Sequence, residues 1–151
     1  MGWQTLEREI IDYLHAQLTQ GGDGGTPIVT LDPNGRYLDE NLEETTQPQS
    51  GTWIAYYIRH VSAKQVSTPC PTIRERRSGI LMVLCHIGAD KGEKRLLTLA
   101  DRVADAFRGK KLSTTELVRF RTPQLGDRRR EGAWWRLNVN CEFYSDAFVT
   151  V

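Results

Sequence analysis

Trp134-Trp135-Arg136-Leu137-Asn138-Val139-Asn140-Cys141-Glu142-Phe143 is the stretch on which the fold turns. Trp135, Leu137, Val139, Cys141 and Phe143 fall on one side, and Trp134, Arg136, Asn138, Asn140 and Glu142 on the other. Successive side chains of a strand point to opposite faces, so this period of two predicts a strand with one buried and one polar face. Upstream, residues 78–87 (SGILMVLCHI) form a nearly continuous apolar run, as expected of a central strand covered on both faces. Residues 52–61 (TWIAYYIRHV) are rich in aromatic and β-branched side chains and predict another strand. Shorter strands are expected at 27–31 and 116–121.

Two helices provide the apolar cover. In residues 5–18, Leu6, Ile10, Tyr13, Leu14 and Leu18 recur at three- and four-residue spacing. Thr5 is the expected cap of that helix, and the glycines at 21, 22, 24 and 25 end it. In residues 93–108, Leu96, Leu99, Ala100, Val103 and Phe107 line one face, and Gly109 closes the helix. Pro69-Cys70-Pro71 places a connection at 62–74, and a loop is expected at 125–132. The order is α-β-β-β-α-β-β. It predicts an α+β fold: a single mixed or antiparallel sheet of about five strands with two helices packed on one face. The 151 residues suit one domain, residues 1–151, with a long exposed acidic loop at about 32–51.

Composition narrows the function. Twenty Lys and Arg against nineteen Asp and Glu leave a net charge of +1, which argues against a protein that coats nucleic acid. No apolar run approaches the roughly 18 residues of a membrane span. The opening MGWQTLEREI has no basic segment followed by an apolar one, so no secretory signal is expected. Cys70, Cys85 and Cys141 are widely spaced and predict free thiols, the last two as small core side chains.

No catalytic, cofactor or metal constellation emerges. Gly88-Ala89-Asp90-Lys91-Gly92 joins a strand to a helix but lacks the spacing of a phosphate loop. His15, His60 and His86 stand on separate elements without paired ligands, and neighbouring Cys85 and His86 face opposite sides of a strand. What remains is charge placed in expected loops: Arg74, Arg76 and Arg77 before the central strand, and Arg128, Arg129 and Arg130 before the last. Against them stand Asp39, Glu40, Glu43 and Glu44. Opposite charges on different loops of one small domain suit head-to-tail self-association into a ring. Two solvated loops that keep the protein soluble fit the same residues. Trp3 and Trp134 are candidate contact anchors or core residues.

Three features taken together resemble the tail terminator, or tail completion, proteins of long-tailed phages. They are the strand entry Arg76-Arg77-Ser78-Gly79-Ile80-Leu81-Met82-Val83, the helix segment Leu99-Ala100-Asp101-Arg102-Val103-Ala104-Asp105-Ala106-Phe107, and the closing strand that ends Phe143-Tyr144-Ser145-Asp146. The resemblance implies a structural virion protein with no catalytic activity and no cofactor. It implies a homohexameric ring on the head-proximal end of the tail tube. Such a ring stops tube polymerisation, offers a docking surface to head-completion or neck proteins, and lets DNA pass without reading it. Its place is the virion, after assembly in the host cytoplasm.

Within that scheme Arg136, Asn138, Asn140 and Glu142 are expected to face the channel or a neighbouring subunit. The arginines at 74, 76, 77 and 128–130 and the acids at 39–44 are expected at contacts with neighbours or the tube. A neck or head-closure adaptor ring is the alternative within the virion. Outside it, a small cytosolic enzyme or nucleotide-binding module using the Gly88–Gly92 turn is the rival reading.

Overall fold

A computed structural model describes residues 3–19, 28–31, 37–38, 44–45, 52–65, 72–88, 93–112, 118–132 and 134–150. They form two helices, α1 (Trp3–Thr19) and α2 (Glu93–Phe107), and one sheet. The strands are β1 (Ile28–Leu31), β2 (Tyr37–Leu38), β3 (Glu44–Thr45), β4 (Thr52–Gln65), β5 (Thr72–Gly88), β6 (Lys111–Leu112), β7 (Val118–Phe120), β8 (Gln124–Glu131) and β9 (Trp134–Thr150). Their spatial order is β3-β2-β1-β4-β5-β9-β7-β6, with β8 also paired to β9. β1 runs parallel to β4, and the other pairings are antiparallel. The α+β class and the five expected strands are present, as β1, β4, β5, β7 and β9.

The helices cover one face, as the period-two reading of β9 requires. Leu81, Val83, Cys85 and Ile87 of β5 and Leu137, Val139, Cys141 and Phe143 of β9 are buried against Leu6, Ile10 and Leu14 of α1 and Leu96, Val103 and Phe107 of α2. Each of the Val, Leu, Ile and Phe side chains among them stabilises the fold by about 1.5–3 kcal/mol on burial. Phe107 sits between the rings of Tyr13, at 5.2 Å, and Phe120, at 4.8 Å. The Tyr13 hydroxyl donates to the Ala106 carbonyl and ties α1 to the end of α2. Beyond that end Gly109 takes φ +63°, a left-handed conformation that glycine adopts at little cost after a helix.

The opposite face carries a smaller apolar cluster at one end, built from Trp53, Ala55 and Leu84 with Tyr37, Tyr57 and Trp134 against it. Trp53 stacks on His86 with ring centroids 3.8 Å apart and planes 3° from parallel. Trp134, half-buried, meets the edge of Trp53 at 5.6 Å and so belongs to this cluster.

Several boundaries differ from the sequence expectation. α1 begins at Trp3, so Thr5 lies inside the helix instead of capping it. The expected connection at 62–74 is mostly strand: β4 continues to Gln65 and β5 begins at Thr72. The expected loop at 125–132 is β8, which forms a hairpin with β9 through Gly132 at φ +58°. A two-residue connection between Glu131 and its partner Trp134 demands such a backbone, and glycine allows it. β7 and β8 lie end to end along the outer edge of β9, separated around Pro123, which has no N–H to donate to a ladder. β2 and β3 fall within the expected acidic loop at 32–51.

Candidate functional site

Alternation decides which charged residues meet. Both arginine triplets expected in loops stand on strands, so each is divided between the two faces. Arg74 and Arg76 share the helix-free face with Ile80, whereas Arg77 faces the helix side and pairs with Glu75 at 3.1 Å. In β8, Arg129 lies opposite Arg136, while Arg128 and Arg130 lie opposite Leu137 and Trp135. Arg128, Arg129 and Arg130 are all exposed. The expected polar row Arg136, Asn138, Asn140 and Glu142 does share the helix-free face, its first three members half-buried and Glu142 exposed. Asp39, Glu40 and Glu43 lie outside the described residues; Glu44 is in β3, and its side chain lies outside them too. Cys70, the side chain of Trp3 and residues 89–92 also lie outside them.

A concentration of charge forms where β4, β5, β9 and β7 run side by side on the helix-free face. Three rungs cross the sheet there. Lys64 pairs with Arg76 and Arg76 with Asp146. Ser62 pairs with Ser78, Ser78 with Tyr144, and Tyr144 with Arg119. Ile80 pairs with Glu142, whose carbonyl accepts the Arg121 backbone N–H at 2.9 Å. Arg76 donates twice to Asp146, from Nε to Oδ1 at 2.8 Å and from Nη2 to Oδ2 at 3.2 Å. Arg74 Nε stands 3.8 Å from the same carboxylate.

The guanidiniums of Arg76 and Arg121 both lie over the Tyr144 ring, at 4.8 and 5.3 Å from its centroid. The hydrogen bond from Arg76, aided by the charges of Arg74 and Arg119, holds the Asp146 carboxyl below its ordinary range. Beside them opens a cleft of about 470 Å³ with Ser62, Lys64, Arg76, Ser78, Arg121 and Tyr144 in its walls. A β-bulge between His60 and Ser62 shapes its rim. His60, across the sheet from that face, reaches Glu7 of α1 with 2.7 Å from Nε2 to Oε1.

Sequence reading singled out Arg74 and Arg76 without their partners, and it missed Lys64 in this setting. The signal was present: Arg-x-Arg in one strand and Tyr-x-Asp in another each put two groups on one face. His86 and Cys85 do face opposite ways. Burial raises the Cys85 thiol, and also raises Cys141 to about 12, so both are inert core groups. Among the described residues no group of three His, Cys, Asp or Glu side chains is placed to hold a metal.

A model of the phage tail terminator proteins matches residues 28–143. The chain belongs to the phage tail terminator family. A solved structure shares the fold, with a TM-score of 0.68 at 15% identity, over 100% of this chain and 99% of that one. No curated protein matches the sequence. Membership makes the chain a structural component of a phage tail, and the resemblance read from the two strands and the helix is thereby supported. No described helix is long and apolar enough to cross a membrane.

Proposed function

We propose that the chain forms a six-fold ring that caps the head-proximal end of the tail tube, stops tube polymerisation and gives the neck protein its docking surface. The match to the tail terminator family over residues 28–143 carries this reading. Termination is then competition for a template. The ring adds to the last tube layer through one side and offers no tube-like surface on the other. A net charge of +1 suits a channel that lets DNA through without gripping it.

Within the ring the exposed β8 edge with Arg128, Arg129 and Arg130, and the cationic set at Arg74 and Arg76, serve contacts between neighbours or with the tube. So do Arg77 and the acids Asp39, Glu40, Glu43 and Glu44. The row Arg136, Asn138, Asn140 and Glu142 faces the channel or the next subunit. Adding the purified protein to polymerising tube protein tests the central step. Tubes that stop growing at substoichiometric amounts support termination, and an unchanged length distribution contradicts it.

A further inference from the structure

Resting on the ring reading above, we propose that the cleft between β4, β5 and β9 holds carboxylates from the Asp39, Glu40, Glu43 and Glu44 stretch of the next copy of the chain. The cleft has cations to spare. Lys64 and Arg121 are exposed and pair with no carboxylate among the described residues, and Arg76 uses only Nε and Nη2 on Asp146. The Arg76 and Arg121 guanidiniums both stand over the Tyr144 ring, which draws the two cations to one spot in the cleft. The two-pronged grip on Asp146 shows the geometry the site already gives to one carboxylate.

Among the described residues the subunit brings Glu142 to the cleft wall and Asp146 to Arg76, and neither pairs with Lys64 or Arg121. Glu44 stands in β3, three strand positions from β4, the near wall of the cleft, and on the rung of Tyr56, eight residues along β4 from Lys64. At the usual spacings that is about 14 Å across the sheet and about 26 Å along it. β2, which ends at Leu38, pairs with β3 at that same edge. Acid at one edge and base in the middle of the sheet make a heterologous, head-to-tail contact, which closes into a ring when the rotation allows. A net charge of +1 gives a nucleic-acid backbone no broad positive face to track, which favours an acidic protein segment as the occupant.

The test is sedimentation velocity on the full chain across a concentration series. The variants are Lys64→Glu with Arg121→Glu, Glu43→Lys with Glu44→Lys, and all four together. Each pair alone is expected to weaken self-association at least tenfold, and the four-fold exchange to regain most of it. Lys64→Gln with Arg121→Gln is expected to weaken it less than reversal, at an unchanged melting temperature, which separates loss of charge from loss of fold. Association that survives cleft reversal, or that the four-fold exchange does not restore, overturns the cleft assignment and leaves the ring reading standing. Loss of binding to a short DNA duplex with intact self-association makes the cleft a phosphate site and also overturns it. A parent chain that stays monomeric both alone and on tube ends overturns the two readings together.

Discussion

Arg76 and Asp146 face each other across β5 and β9, joined by two hydrogen bonds of 2.8 and 3.2 Å. The pair is the hub of the helix-free face, with Arg74 behind it, Lys64 beside it and Tyr144 below the guanidinium. It is also partly open to water, at 40% and 27% side-chain exposure, so it orients the arginines more than it stabilises the fold.

Asp146→Asn is therefore expected to cost no more than about 1 kcal/mol in urea unfolding at neutral pH. Asp146 has a lowered folded pKa, so its contribution is present above the unfolded value of about 3.9 and is lost as pH falls through the folded one. The difference between parent and variant should close in acid and shrink in high salt.

His86 carries the opposite kind of pH dependence. Burial, with Arg136 nearby, brings its imidazole down to about 4, although Nδ1 donates to the Leu84 carbonyl at 3.0 Å. Its folded pKa is below the unfolded one, so the unfolded chain binds the extra proton first, and stability falls as pH drops from about 6.5 towards 4. His86→Phe keeps a flat ring against Trp53. It is expected to remove that slope, of order 3 kcal/mol at full extent, in unfolding measured across the window.

Gly79→Ala tests the close approach of β4, β5 and β9. An added Cβ would stand 2.7 Å from the Arg59 carbonyl oxygen and 2.7 Å from Phe143 Cζ. Backbone on one side and a buried ring on the other leave nothing to move cheaply. A loss of about 1–3 kcal/mol is expected in thermal or urea unfolding.

Reversing Arg128, Arg129 and Arg130 to Glu should leave the monomer fold intact, since all three are exposed on the outer strand. Ring stability and tube affinity are expected to fall in sedimentation and pull-down assays. Rings of parent stability with parent tube affinity would remove this strand from the interface.

The layers of this fold were legible because they follow from alternation and helical spacing. Leu137, Val139, Cys141 and Phe143 signalled their own burial, and the stripe from Leu96 to Phe107 signalled the helix above them. The charged strand segments were not legible in the same way. Arg74, Arg76 and Arg128 to Arg130 read as loops because polar composition stands in for turns, yet they lie on edges and extensions where ladder bonds need no apolar side chains. β8 forms because Gly132 turns the chain back onto β9. The site was half legible: arginines were counted, but Asp146 and Tyr144 matter through strand register, which pairs residues 70 positions apart.

Electron microscopy of a lysate from a phage lacking this chain, scored for tail length, tests termination itself. Headless tails of uncontrolled, extended length are the predicted result. Tails of normal length that fail to join heads would contradict termination and assign the ring to the neck instead.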